Sequence, residues 1–397
     1  MVFLEVKKFL RGSAMKDIEI PDPSWGSELA SVILDLEKLR TKRLGGDVPP
    51  HIFFQLKDIF HILETLGSAR IEGNNTTLSE YVEKIIEENV NDESNDEIKN
   101  LEKAIDFIEE NTDEDTTLNR AYISEIHKII TKDLRQPPHG EGSKNPGELR
   151  THNVKIKSSG HTPPEHFLLQ EQFEKLVDFI NFGHKEQYQL LMVAIAHHRF
   201  EFIHPFDNGN GRMGRLLNYA FLIKLGFQVK TGRLINPSSV FYTNRDKYYE
   251  MLSKADSLDD NDILQWCEYF LLGLKNEIEK IDSLLDMRYV RQEILSPMLM
   301  LALESEHITK QEFKILNYLI HKDDMSMKSE ELSFLGINDS KKKSIIMGKL
   351  KEKRIVEAIS KGGRIYTIGF VNNYLLRGIM KVLKEKGFVS DFLNTNQ

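Results

Sequence analysis

A chain of 397 residues, 40% hydrophobic and 29% charged, holds enough apolar material for a large core and has the length for two domains or more. Its formal net charge of −8 argues against nucleic-acid binding by the surface as a whole, and its single cysteine, Cys267, excludes an intrachain disulfide and a cysteine-rich metal site. No apolar run reaches the roughly 18 residues of a membrane span, and residues 1–15 read as a loose tail without a secretory cleavage pattern, so the expectation is a cytoplasmic protein with no membrane partner.

Helical periodicity dominates the first 132 residues. Leu29 to Arg43 and His51 to Leu66 carry apolar residues at three- and four-residue spacings, separated by Gly45-Gly46 and Pro49-Pro50. Tyr81 to Glu88, Asp96 to Glu110 and Thr117 to Lys132 read as further helices, and the acidic stretches Glu87 to Glu97 and Glu109 to Asp115 as solvated loops and helix edges. Between 136 and 165 proline and glycine break the pattern. There Glu148 to Lys157 alternates apolar and polar residues like a short exposed hairpin. Helices resume at Glu165 to Asn181 and Gln187 to Glu201; the second is so apolar that it reads as a central buried helix.

A second organisation begins near 305, after charged and leucine-rich linking helices over 272–304. Three helices are expected at Lys310 to His321, Lys328 to Leu335 and Ser340 to Lys353. Two β-like runs, Arg354 to Ile359 and Arg364 to Phe370, follow around a glycine turn. This is the outline of a winged helix-turn-helix. Its third helix carries Lys341, Lys342, Lys343, Lys349, Lys351 and Lys353, which could follow a DNA backbone or simply be a solvated face. Cys267 lies in the apolar run Ile263 to Cys267 and is expected to be a buried structural thiol.

The densest chemistry is His204-Pro205-Phe206-Asp207-Asn208-Gly209-Asn210-Gly211-Arg212-Met213-Gly214-Arg215, which follows the apolar helix directly. Pro205 denies His204 an easy helical conformation and ends that helix. An imidazole there can take a proton from a hydroxyl nucleophile. Gly209-Asn210-Gly211 lets backbone N–H groups at a helix start approach a phosphate closely. Arg212 and Arg215, three apart, share a helix face and can grip phosphates together. His197 and His198 lack such company and read as packing or support.

This stretch resembles the Fic family signature, His-x-Phe-x-(Asp/Glu)-Gly-Asn-Gly-Arg-x-x-Arg, with one departure at Asn208. The resemblance covers roughly residues 20–290. It implies a mainly α fold, a Fic-type helical bundle with a short β-hairpin flap over Gly147 to Ile156 that pins a target segment by strand addition. It also implies transfer of AMP from ATP to a Ser, Thr or Tyr hydroxyl of a target protein or of the chain itself. His204 would be the general base, and Gly209, Asn210, Gly211, Arg212, Met213, Gly214 and Arg215 would hold the nucleotide, with Tyr249 lining its cleft. Asn208 stands where the family has an acidic Mg2+ ligand; an amide oxygen can ligate Mg2+ but brings no charge. Dimers are common in the family, so a homodimer is expected by analogy.

Ser68-Ala69-Arg70-Ile71-Glu72-Gly73-Asn74 resembles the family's inhibitory motif, Ser/Thr-x-x-x-Glu-Gly/Asn. Paired with Arg215, Glu72 would take the group that should bind the γ-phosphate. The chain then divides into an N-terminal helical region with this motif (1–115), a Fic catalytic core (116–275), a helical linker (276–304), the winged helix-turn-helix (305–375) and a C-terminal tail (376–397). Two other readings stay open. One is a Fic enzyme that mainly removes AMP or uses another nucleotide donor; the other is a winged-helix DNA-binding regulator, contacting DNA through 305–375, whose Fic portion senses nucleotide.

Overall fold

In the computed structural model, which describes residues 18–41, 46–87, 93–156, 160–230 and 234–395, the apolar spacings become helices that share one continuous core from Leu29 to Leu393. The tail expected over residues 1–15 and the middle of the first acidic stretch, 88–92, lie outside the described residues. The first helix, α1 (Glu28–Thr41), packs along α10 (Asp260–Asp282). Next, α2 (Pro50–Ile71) starts with a proline whose fixed φ suits a first turn, and it runs almost wholly buried through the molecule. It extends five residues beyond the expected end at Leu66. Glu72 is therefore its C-cap, and Gly73, at φ 107°, turns the chain away.

Three helices follow: α3 (Leu78–Glu87), α4 (Glu93–Asn111) and α5 (Arg120–Thr131), the last capped by Asn119, whose side-chain oxygen accepts from the Tyr122 N–H at 3.0 Å. Then α6 (His166–Asn181) pairs with α7 (Glu186–Ile203), and α7 with α8 (Asn210–Lys224). The face of α4 meets both α2 and α8, which corrects the solvated reading of two acidic residues. Glu97 is only 3% exposed. Glu109 accepts from Lys57 Nζ at 2.6 Å. A buried cation faces each carboxylate, Arg212 for the buried Glu97 and Lys57 for the half-buried Glu109, and the pairing offsets desolvation.

Residues 147–156 also differ from expectation: they contain no strand. Only Val154 and Ile156 keep a two-residue spacing, while Arg150 is buried and its guanidinium donates to backbone carbonyls of His204, His152 and Pro164. Those bonds hold the segment against the core as an extended loop.

After α9 (Arg245–Ala255) and α10, a helical run through Met287–Tyr289 and the π-helical turn Val290–Leu295 reaches α11 (Ser296–Glu304). The expected boundary at 275 falls inside α10. The following module contains α12 (Lys310–Ile320), β1 (Ser326–Lys328), a 3-10 turn (Ser329–Leu335), α13 (Ser340–Glu352), β2 (Val356–Ala358) and β3 (Ile365–Ile368). The strands form an antiparallel sheet in the order β1-β3-β2, with Met327 opposite Tyr366 and Glu357 opposite Thr367. β1, unexpected from the sequence, takes only Lys328 of the second expected helix, and the rest of that helix is the 3-10 turn.

The expected tail is structured: α14 (Leu375–Glu385) buries Leu375, Leu376, Ile379, Met380, Val382 and Leu383. A 3-10 turn at Asp391–Leu393 then returns to α2. The sheet touches α2 as well. Gln55, on α2, donates to the Ile368 carbonyl at 2.8 Å and accepts from the Phe370 N–H at 2.9 Å. The helix ending in Glu72 is thus held between the helical bundle and the C-terminal module. No helix among the described residues is long and apolar enough to cross a membrane.

Candidate active site

α7 ends at His204, which adopts φ 48° and ψ 66°, a left-handed conformation that a non-glycine residue takes at a cost. Three interactions hold it there. Its N–H donates to the Phe200 carbonyl at 3.0 Å, its carbonyl accepts from Arg150 Nε at 2.9 Å, and the next carbonyl, of Pro205, accepts from the Arg150 N–H at 2.9 Å. Burial pushes the imidazole down to about 4, with the charge of Glu72 opposing, so the ring is neutral and able to accept a proton at pH 7.

The following loop closes on itself. Phe206 is fully buried and stacks on His127 at 3.8 Å between ring centroids. His127 Nδ1 accepts from the Gly147 N–H at 2.8 Å, so Nε2 carries the proton and donates to the Asn208 carbonyl at 2.9 Å. Asn210 donates to the Phe206 carbonyl and accepts from the Phe206 N–H, both at 2.9 Å. Its side chain therefore shapes the loop, and it can meet a nucleotide only through its backbone N–H. Gly209, at φ 77°, caps α8 with no side-chain hydrogen bond, leaving the first N–H groups of the helix for an anion.

Arg212 and Arg215 share a face of α8, and both are buried. Arg215 donates to Glu72 Oε1 at 2.6 Å, to Ser68 Oγ at 2.9 Å and to the Ser68 carbonyl at 3.0 Å. Burial alone would raise the Glu72 carboxyl, but the Arg215 charge and hydrogen bond hold it below the usual range. A side chain at Gly211 would collide with the Glu72 carboxylate. The carboxylate thus lies in the space that glycine leaves open, inside the anion cradle itself.

Arg212 has two carboxylate partners that sequence reasoning missed. Its Nη1 lies 3.0 Å from Glu97 Oε1, and its Nη2 lies 3.3 Å from Glu141 Oε2 and donates to the Glu141 carbonyl at 2.7 Å. Arg150 and His127 were missed too. Neither stands in a pattern that marks it in the sequence.

Other expected nucleotide residues sit elsewhere. Met213 is a core side chain, because a position one residue past Arg212 turns to another face of α8. Gly214 packs against α7, where a Cβ would strike the Glu201 carboxyl and crowd the His197 ring. Burial pushes Glu201 up to about 8, with Arg215 opposing. His197 stacks on Phe241 and Trp266 and lies 3.0 Å from the Tyr248 hydroxyl, and His198 lies 3.1 Å from Asp256, both as supports. Tyr248 is core; Tyr249 is half-buried, with Arg245 over its ring. Cys267 is buried, and burial pushes its thiol up.

The residues around the expected metal ligand, Asn208, are engaged with one another. Asp207 accepts from Ser143 Oγ at 2.6 Å and from the Lys144 N–H at 2.9 Å, which turns it from the cradle. Asn208 donates its amide nitrogen to Glu141 Oε2 at 3.3 Å and to the Gly142 carbonyl at 3.2 Å. Among the described residues no group of three or more His, Cys, Asp or Glu could cage a metal. One amide oxygen beside one carboxylate fits a Mg2+ ion carried largely by phosphates and water.

Residues 117–222 match the Fic/DOC family. The chain carries a Fic domain. Similar proteins include the protein adenylyltransferase Fic of Drosophila ananassae, 30% identical over 209 residues, which are 50% of this chain and 37% of that protein. That of Drosophila melanogaster is 29% identical over 209 residues with the same coverage. The chain thus matches little more than a third of the length of these relatives. A crystal structure of a Fic family protein from Desulfovibrio desulfuricans has a TM-score of 0.55 at 18% identity, covering 88% of this chain and 98% of that one. Its fold is shared well beyond the Fic domain.

Proposed function

We propose that the chain is a protein adenylyltransferase that transfers AMP from ATP to a protein hydroxyl and is held in check by Glu72. The observation that carries this reading is a neutral, conformationally fixed His204 next to an anion cradle bearing two buried arginines. His204 accepts the proton of a Ser, Thr or Tyr hydroxyl as that oxygen attacks the α-phosphorus. The bond from the α-phosphorus to the bridging oxygen breaks, and pyrophosphate leaves with its charge held by Arg212, Arg215 and the N–H groups of α8. Asn208 and Glu141 would hold Mg2+, which neutralises phosphate charge when bound. With Glu72 in the cradle, γ-phosphate and carboxylate compete for Arg215.

Intact mass after incubation with ATP and Mg2+ tests this for wild type, Glu72→Gly and His204→Ala. The expected result is a gain of one AMP mass in Glu72→Gly that vanishes when His204→Ala is added. No gain in Glu72→Gly with any offered protein hydroxyl would overturn the reading.

The charge of Glu72 also acts on His204, which favours a second activity: the carboxylate could orient water for AMP removal. Loss of AMP from a modified substrate, dependent on Glu72, tests it. The C-terminal module has the element order of a winged helix-turn-helix. Lys341, Lys342, Lys349, Lys361 and Arg364 are exposed on it, in support of DNA contact. Lys343, Lys351 and Lys353 instead have partners within the module, which narrows that basic face. A salt-sensitive shift of duplex DNA supports binding, and no shift on any duplex dismisses it.

A further inference from the structure

We infer that Glu97 is a positioning residue for the phosphate-binding Arg212, an inference that rests on the nucleotide reading above. Arg212 is wholly buried and always charged, so it needs a lasting counter-ion. Its two carboxylate partners differ in permanence. Glu141 has a side chain 41% exposed on a loop, whereas that of Glu97 is 4% exposed and comes from the middle of the bundle. Glu97 is itself anchored, because its Oε2 accepts from Asn74 Nδ2 at 2.7 Å, and Asn74 Oδ1 accepts from the Thr76 N–H at 2.9 Å. Asn74 lies two residues past Glu72, so the inhibitory segment and Arg212 share this anchor. Arg212 Nε and Nη1 are both buried without a hydrogen-bond partner among the described residues, so Glu97 acts on the guanidinium as an ion pair at 3.0 Å and leaves donors for an incoming oxygen. A guanidinium held this way is aimed before the nucleotide arrives, and less rotational freedom is lost on binding.

The test uses the full chain in the Glu72→Gly background, with ATP, ADP and AMP affinities measured by calorimetry. Adding Glu97→Gln is expected to weaken ATP and ADP by about tenfold or more while AMP stays within about twofold, since only the longer nucleotides reach the arginines. Glu97→Asp should recover part of the loss. Equal losses for ATP and AMP, or no loss, overturn the role of Glu97. Absence of ATP binding by Glu72→Gly itself overturns the nucleotide reading and this inference with it.

Separate contacts carry a second inference: the geometry points to residues 391–395 as a latch on the Glu72-bearing end of α2, again given the inhibitory reading. Arg70 donates to the carbonyls of Phe392 at 3.2 Å and Thr395 at 2.5 Å, and its guanidinium lies over the Phe392 ring. That ring stacks on Tyr242 at 10° between planes, and Tyr242 packs so closely on Gly67 that a Cβ there would collide with it. Leu393 is fully buried. The segment therefore bears on the turn containing Ser68, which binds Arg215, and Glu72 follows directly. Phe392→Ala is expected to tighten ATP several-fold when Glu72 is present and to change nothing in Glu72→Gly. Hydrogen exchange should rise over residues 67–73, with the melting temperature reporting that the chain stays folded. Equal changes in both backgrounds, or none with Glu72 present, overturn the latch.

Discussion

Replacing Glu72 by glycine should leave a protein that is less stable alone and much tighter for ATP. The pair it removes is 2.6 Å long, with the Arg215 side chain 1% exposed and that of Glu72 28% exposed. A hydrogen bond to a charged group contributes about 1.5–3 kcal/mol. At about 1.4 kcal/mol per tenfold, freeing Arg215 from that competitor corresponds to a gain in ATP affinity of about 10- to 150-fold. Without nucleotide, Arg215 becomes a buried charge with only its Ser68 contacts, a loss of about 3 kcal/mol or somewhat less. Calorimetry gives the first number, and thermal melting with and without ATP gives the second. The melting temperature should fall in the variant and recover with saturating ATP further than wild type rises. A variant that melts like wild type and binds ATP no better would refute the claim that Glu72 and phosphate compete for one guanidinium.

Three further outcomes follow from the same geometry. Burial depresses His127 to about 4, His197 to about 3 and His204 to about 4, so the stability these provide is full above pH 6.5 and is lost as pH falls toward those values. Glu64 and Glu201 are pushed up to about 7 and about 8, so their contribution is present at low pH and lost as pH rises above 4.5. Melting temperature against pH should therefore flatten between about 4.5 and 6.5, where the two sets oppose, and fall on both sides; a steady rise to pH 8 would contradict it. Arg150→Ala should lower stability by about 3 kcal/mol and abolish transfer, because it strands carbonyls around His204, and Arg150→Lys should not restore it; melting and transfer assays read both. Asn208→Asp should lower the Mg2+ concentration for half-maximal transfer several-fold, and an unchanged metal titration would remove Asn208 from the metal site.

What could be read from the sequence was what lies close together in it. His204, Gly209, Gly211, Arg212 and Arg215 occupy one turn and one helix start, where spacing alone fixes geometry. Contiguity also misled. Asn210, Met213 and Gly214 fall within the same twelve residues, yet helical rotation and loop closure turn their side chains or packing faces to the interior. Glu97 lies more than a hundred residues from Arg212, within a stretch whose composition looks solvated; only the docking of α4 on α8 makes it a counter-ion. Arg150 was hidden in an alternation that suggested a hairpin, since a buried arginine on backbone carbonyls leaves no periodic trace. The 376–397 stretch was the avoidable miss. Leu376, Ile379, Met380 and Leu383 stand at helical spacing and announce a buried face.

The charge balance of the cradle indicates which contacts must yield when phosphates enter. Two guanidiniums face three carboxylates, Glu72, Glu97 and Glu141, and bound ATP would add more negative charge to the same space. Like charges in a site of low dielectric cannot accumulate, so carboxylates must leave or find a cation. Glu97 cannot leave without opening the bundle, because its side chain is enclosed and held by Asn74. Glu141 stands on an exposed loop next to Asn208, where a metal ion arriving with the phosphates would compensate it in place. That leaves Glu72, at a helix end followed by a positive-φ glycine, as the carboxylate that can swing away at the smallest backbone cost. Of the three, it alone combines partial exposure, a terminal position and the space beside Gly211, and those properties suit the ion pair to the proposed role of a brake.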